Sequence, residues 1–407
     1  MGHVISMLCA PTPGRTAEAW TTPEDNDSTI VSGRTSGSRL AAGVVVAGAT
    51  AGAAAGVAAP KPDPPRLSGS LRVKERRPQG SVRFREASAV PKQETAGERV
   101  DGKYLWVEGR RFLRDTKGGA NFLVPMDETE GERWAKRHEL LRYCLARNFF
   151  APVGDILEKG ARVLEIGCGI GSWTLDMSPT FSNSRFLGLD SSELFPKWNS
   201  TPPNCRFQTH DIAVQPLAFP DAEFDFIFRG ASAPVRTAAQ WAAVLAEAYR
   251  VLKPGGYVEL VEIDVKVKGV GEFAARWFGL QSYIKFNHLP SYPDKSIATS
   301  RSIDPRVFRR LPTLLSDAGL TVTLQETFNV PVGQWGGYIG ESWAMDLEAS
   351  ARGLRVAFAR EGGVAGPEFD ALLEGLVDEY KMMRGGLNIY VVVARKGGGE
   401  EKGKGGD

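Results

Sequence analysis

The sequence predicts an α/β fold, a seven-stranded and mostly parallel sheet with helices on both faces. Three observations carry that expectation. Short apolar runs alternate with helical patterns from residue 161 onward, as strands alternate with crossover helices in a parallel sheet. The first run breaks into glycine at alternate positions, GCGIG at 167–171. The next two end on Asp190 and Asp211, at the carboxyl strand ends where open α/β sheets bind ligands.

The strand-like runs are 161–167, 185–190, 205–211, 224–230, 256–264, 321–328 and 388–396. Each is short, rich in β-branched and aromatic residues, and bounded by Gly, Pro, Asn or Asp. Helical spacing occupies 240–252, 305–318 and 368–382. Ahead of the sheet, 127–150 opens with acidic residues suited to a helix N-terminus and then sets Trp134, His138, Leu141 and Leu145 on one face. Order is expected to begin near Tyr104. Between 331 and 383 two helical stretches follow without a strand, a helical insertion before the last strand that is expected to cover the ligand crevice. The arrangement is Rossmann-like.

Residues 1–100 are rich in Gly, Ala, Pro, Ser and Thr and lack sustained periodicity. Such a segment buries too little apolar surface to offset chain entropy, so it is expected to be a disordered N-terminal leader. The tail 397–407 is expected to be flexible. Within the leader, Met1-Gly2-His3-Val4-Ile5-Ser6 fits an acylation pattern and Cys9 offers a second acyl site. That pattern constrains only three positions, and membrane contact is expected only if this end is acylated. The apolar stretch 40–59 is nearly all Ala and Gly, too weakly hydrophobic to predict a span. No signal peptide is expected. KERRP at 74–78 reads as a nuclear address or as solvated charge, and the expected location is cytoplasmic or nuclear.

The whole chain carries a net charge of +2, with 13 Lys/Arg against 9 Asp/Glu in residues 1–100 and a slight acidic excess beyond. Nothing in that balance predicts direct nucleic-acid binding. The four cysteines, Cys9, Cys144, Cys168 and Cys205, lack CxxC spacing or a nearby His cluster. Neither a disulfide framework nor a metal site is expected.

The glycines select among cofactors. A dinucleotide fingerprint GxGxxG starting at Gly167 requires glycine at 172, where Ser172 stands. No GK[ST] follows, which removes the P-loop. What remains is Gly167, Gly169 and Gly171, with Cys168 inside the loop and Glu165 two residues before it. This spacing suits a ligand with a zwitterionic amino-acid end and a nucleoside, as in S-adenosylmethionine. Its ribose hydroxyls call for a carboxylate at the end of the second strand, which Asp190 supplies beside Ser191. Asp211, ending the third run, is placed to accept from an adenine amino group. Either acid alone would read as a cap or turn residue.

With those residues in place, the stretch 160–264 resembles class I S-adenosylmethionine-dependent methyltransferases. It does so through LEIGCGIG, FLGLD, HDI, FPDAEFDFIF and AYRVLKPGGYVEL. A narrower resemblance, over 101–396, is to the fungal LaeA-like methyltransferases. It rests on Phe122-Leu123-Val124-Pro125-Met126-Asp127-Glu128 with Glu132, Arg133 and His138, on Gly171-Ser172-Trp173, on Pro202-Pro203-Asn204-Cys205, and on Val330-Pro331-Val332-Gly333-Gln334-Trp335. The chain departs from that family at Phe112 and Leu113, where the family carries Tyr-His.

The resemblance implies that Glu165, Gly167, Gly169 and Gly171 wrap the methionine end of the cofactor, that Asp190 takes the ribose, and that Asp211 with Ile212 takes the adenine. Arg229, at the end of the fourth strand, would contact the cofactor, gate the substrate, or form a surface salt bridge. No catalytic base is assigned: His138 rides an apolar helix face, His210 points away from Asp211, and Tyr283 and His288 fall in an irregular stretch. The expected activity is methyl transfer to a small-molecule substrate, with a role in secondary metabolism as the family implies. The rival is a nuclear regulatory protein of the same fold acting through protein partners.

Overall fold

In the runs 226–228 and 389–394 every residue is apolar, and 163–166 departs only at Glu165, the pattern of strands covered on both faces. The computed structural model describes residues 98–114, 124–212, 216–231, 236–264, 266–282, 302–304 and 306–398. In it these runs become strands of one sheet. Its members are β4 (Arg162–Ile166), β5 (Arg185–Asp190), β6 (Cys205–Thr209), β7 (Phe224–Gly230), β8 (Leu252–Ile263), β9 (Leu320–Val332) and β10 (Gly385–Lys396). They lie in the order β6-β5-β4-β7-β8-β10-β9. The first five strands in that order are parallel, and β10 runs antiparallel between β8 and β9. The seven-stranded, mostly parallel sheet is the predicted one.

Alternation along the strands divides the interior in two. Val163, Phe226, Phe228, Val391 and Val393 join one apolar cluster, whereas Leu164, Ile227, Val392 and Ala394 join the other. The first face is covered by α1 (Glu128–Leu145), α3 (Ser172–Thr180), α5 (Glu272–Ser282), α7 (Gly337–Gly353), α8 (Arg355–Arg360) and α9 (Pro367–Met382). The second is covered by α4 (Ala238–Val251) and α6 (Leu311–Asp317), while α2 (Gly154–Lys159) packs Leu157 into the first. A separate antiparallel sheet of β1 (Arg99–Asp101), β2 (Tyr104–Val107) and β3 (Arg110–Leu113) precedes α1. There Phe112 is buried against Leu105, Val107 and Val356.

Several boundaries differ from the sequence reading, for local reasons. Pairing starts at Arg99, ahead of Tyr104, because Asp101 and Tyr104 close a hairpin. β8 starts at Leu252, since Leu252 already pairs with Phe224 and the Pro-Gly-Gly segment is taken up as a register shift. The helix expected over 305–318 is a 3₁₀ turn at Val307–Arg310 followed by α6. Pro312 enters the first turn of α6, where its missing N–H costs least. The stretch 331–383 holds three α-helices, α7 to α9, where two were expected, and its first two residues, Pro331 and Val332, complete β9. The 40–59 stretch, the Met1–Ser6 pattern, the 74–78 basic run, Tyr283 and His288 lie outside the described residues. Among those described, no helix is long and apolar enough to cross a membrane, and Cys144, Cys168 and Cys205 are free thiols.

α1 is fastened at its start and along its length. Asp127 caps it, accepting from Glu130 N–H at 3.1 Å, and takes the Arg110 guanidinium on both carboxylate oxygens at 2.6 and 3.0 Å. Arg133 bonds Glu130 at 2.7 Å and Asp346 on α7 at 3.1 Å, while Arg137 holds Asp346 at 2.7–3.2 Å. Three arginines thus meet three carboxylates, and all but Arg110 are buried. Breaking such a set leaves an uncompensated buried charge. We expect Asp346→Asn to cost about 3–5 kcal/mol by urea denaturation, and Arg137→Met in the same chain to return part of that loss.

Candidate functional site

β5 and β6 continue the sheet to one side of β4, and β7 and β8 to the other. The chain leaving β4 therefore enters the crevice where strand order reverses, the general ligand position in such sheets. The loop 167–171 turns there with positive φ at Gly167, Gly169 and Gly171. Gly167 and Cys168 N–H both donate to Leu189 O, at 2.7 and 3.0 Å. Gly169 N–H donates to Asp190 Oδ2 at 2.9 Å, and Ser192 donates to Oδ1 through both N–H and hydroxyl at 2.8 and 2.7 Å. Asp190 thereby fastens the loop to the end of β5, and each oxygen keeps lone-pair capacity for a ligand hydroxyl.

A cleft with about 1240 Å³ of atom-free space, counting its open mouth, extends from this loop. Of the sequence-predicted residues, Glu165, Gly167, Cys168, Gly169, Asp190, Ser191 and Arg229 line the cleft together. Gly171, Asp211 and Ile212 do not. Gly171 ends the loop where a Cβ would strike the Phe207 ring at 2.3 Å. The Ile212 side chain is buried in the second apolar cluster. Asp211 lies two residues beyond the end of β6, and Arg236 feels its charge. A Cβ on Gly169 would meet Trp134 of α1 at 3.0 Å, so the α1 indole bounds the loop.

The roof is α1, which contributes Trp134, Arg137, His138, Leu141, Arg142 and Leu145. No lining residue falls in 331–383, so the expected cover from the helical insertion is corrected: that insertion packs on α1, which Asp346 holds by two arginines. His138 Nε2 lies 3.3 Å from Asp176 Oδ2, in a cluster where Arg142 and Asn148 also donate to Asp176.

Glu165 is 5% exposed and accepts from the Thr174 hydroxyl and N–H at 2.6 and 3.1 Å. Burial pushes its carboxyl up to about 8, only partly offset by those bonds. Arg229 is 1% exposed, which removes the surface-salt-bridge reading. Its Nε stands 3.3 Å from Glu262, its guanidinium lies 4.6 Å from the Trp241 ring centroid, and among the described residues none of its nitrogens has an aligned hydrogen-bond partner. Burial and the charge of Arg236 pull it down to about 10. Arg236 also lines the cleft with its Nε unpartnered.

Sequence reasoning missed Arg236, Asn148 and Glu259, all of them lining residues. A glutamate inside an otherwise apolar strand was the available signal for Glu259. No sequence pattern marks the other two. Among the described residues no group of three or more His, Cys, Asp or Glu is arranged to hold a metal ion.

Residues 163–256 match a family model described as a methyltransferase domain. The chain is 27% identical over 242 residues to the "Secondary metabolism regulator LAE1" of Cochliobolus heterostrophus, spanning 56% of this chain and 72% of that protein. It is 28% identical over 238 residues to "Methyltransferase pytC" of Aspergillus terreus, spanning 57% and 67%. A "Fatty-acid O-methyltransferase" of Mycolicibacterium smegmatis is 30% identical over 156 residues, spanning 36% and 53%.

The two buried glutamates make a pH prediction. Burial pushes Glu165 up to about 8 and Glu259 up to about 7, from an ordinary 4.5. The folded state then holds protons that the unfolded chain releases. Stability present below pH 4.5 is lost as pH rises toward 8, at up to about 1.4 kcal/mol per pH unit for each group. Glu165→Gln should flatten that decline in denaturation curves taken between pH 5 and 8; a parallel decline would refute the protonated carboxyl.

Proposed function

As residues 163–256 match a methyltransferase domain, we propose that the chain is a class I S-adenosylmethionine-dependent methyltransferase that transfers the methyl group to a small-molecule acceptor bound beside the cofactor. The observation that supports this most directly is the cleft. Besides the glycine loop with Asp190 and Arg229, the same cleft is lined by Leu141, Leu145, Trp173, Phe228 and Val261 beside Asn148 and Glu259.

In this reading Gly167, Cys168, Gly169 and Gly171 shape the seat of the methionine end, and Glu165 holds its ammonium. Arg229 takes the carboxylate, because a buried guanidinium without aligned partners is satisfied by an anion. Asp190 and Ser191 take the ribose hydroxyls. Asp211 stays the candidate for the adenine amino group, with Ile212 contributing from the core side of the turn. The cofactor supplies an already activated methyl on a sulfonium. What the chain itself supplies is alignment and the exclusion of water by α1. His138 Nε2 is engaged with Asp176, and the proposal assigns it no proton transfer.

A second reading follows from the likeness to LAE1: a regulator of secondary metabolism acting through protein partners. The two separate on Asp190→Ala. An enzyme loses its methylated product in metabolite profiles, whereas a regulator working through partners keeps both partners and metabolite output.

Calorimetric titration with S-adenosylhomocysteine tests the site. Arg229→Met should weaken binding about ten- to a hundredfold, the loss of one or two charge-assisted hydrogen bonds. Gly169→Val should abolish it, since the side chain would force Trp134 and the loop apart. Normal binding by both variants would overturn the assignment.

A further inference from the structure

The cleft continues past the glycine loop. Register sets Glu165 beside Phe228, and Phe228 beside Glu259, in one row across β4, β7 and β8. Glu259 therefore lies two strands from Glu165, roughly 10 Å away. It is 0% exposed. Its Oε2 accepts from the N–H groups of Phe150 and Ala151, each at 2.8 Å, and this tether holds the segment after α1 against the sheet. Its Oε1 is buried and has no hydrogen-bond partner among the described residues.

A second unpartnered acceptor stands in the same segment. Asn148 Nδ2 donates to Asp176 Oδ2 at 3.0 Å. A carboxylate there can only accept, so the amide orientation is settled and Oδ1 is the end left over. That atom is likewise buried without a partner. Each unsatisfied group carries a desolvation cost, which a ligand with a donor would recover. Burial pushes the Glu259 carboxyl up to about 7, opposed by the Ala151 and Phe150 N–H groups and by the Arg147 charge; above that pH the group is ionised and Oε1 is an acceptor. The walls around both residues are apolar: Phe150, Phe228, Trp173 and Val261. Trp173 stacks on Phe228 with centroids 4.0 Å apart, and its indole N–H is spent on Asn148 O at 2.7 Å. The chamber thus presents acceptor oxygens against aromatic faces.

We infer that Glu259 Oε1 and Asn148 Oδ1 are the recognition pair of the methyl-acceptor subsite, taking a hydroxyl or amine carried on an aromatic or otherwise apolar body. The inference rests on the methyltransferase reading and narrows its substrate class to hydrogen-bond donors.

The test uses the full chain saturated with S-adenosylhomocysteine and four probes sharing one ring system: naphthalene, 2-naphthol, 2-naphthylmethylamine and 2-acetonaphthone. Affinities come from ligand-observed NMR at pH 8, where Glu259 is ionised. At least one donor probe should bind about tenfold or more tighter than naphthalene. Which one does so separates a hydroxyl from an amine acceptor. Glu259→Gln keeps an oxygen for the Phe150 and Ala151 tether while turning the other end into a donor. It should therefore lose the donor probe about tenfold and gain the ketone, an inversion that a merely structural residue would not produce. Asn148→Ala should lose the donor probe about three- to tenfold, and carries the test alone if Glu259→Gln does not fold. S-adenosylhomocysteine affinity should not change in either variant. Donor probes that bind no tighter than naphthalene, or variants that keep the wild-type preference, would overturn the subsite. Failure of the wild type to bind S-adenosylhomocysteine would instead remove the methyltransferase reading beneath it.

Discussion

The cleft exists because α1 is held over the carboxyl edge of the sheet, and α1 is held there by charge. Arg133 and Arg137 converge on Asp346, while Arg110 reaches Asp127 and Glu130 from the small sheet. Neutrality of the set is what makes its burial tolerable. Its weight lies in geometry as much as in energy, since a hydrophobic contact would let a helix slide whereas paired guanidinium forks fix its register. The roof is held in addition by His138 and Arg142 on Asp176 of α3 and by Leu141 and Leu145 in the apolar core.

Beneath the roof the sheet does something proteins ordinarily avoid. It buries Glu165 and Glu259 two strands apart with Phe228 between them. Apolar residues in those places would pack without desolvation cost. Buried carboxyls with raised pKa, set in a cleft, are the mark of a site built for ligands rather than for stability alone. Each is half-used for scaffolding: Glu165 through Thr174, Glu259 through the Phe150–Ala151 backbone. The remaining acceptor capacity of both faces the cleft.

Much of this was legible from the chain. The strand runs, the glycine spacing and Asp190 are local signals, and local signals survive folding: Asp190 holds the loop where the spacing implied a ligand carboxylate. Trp134 and His138 do line one face of α1. What could not be read depends on distant pairings. Asp127, Glu130 and Arg133 stand close together in sequence, but Asp346 lies 213 residues beyond Arg133 and gives no local hint that it completes the set. For the same reason the helical insertion was expected to cover the crevice, when it acts one layer behind α1. Ile212 shows the converse limit, since a motif position predicts a strand end but not which side chain turns into the core.

The distance between Arg133 and Asp346 also orders events during synthesis. The glycine loop and its flanking strands can pair once residues up to about 264 are available, because their contacts are comparatively close in sequence. The roof cannot lock until α7 has emerged, since its counter-charge resides there, and contacts of such long separation are late and slow to form. A nascent chain therefore passes through a stage in which the parallel strands and loop are built while the aromatic chamber lies open to water. Enclosure of the site is in effect a late inspection of the fold, withheld until α7 has been made.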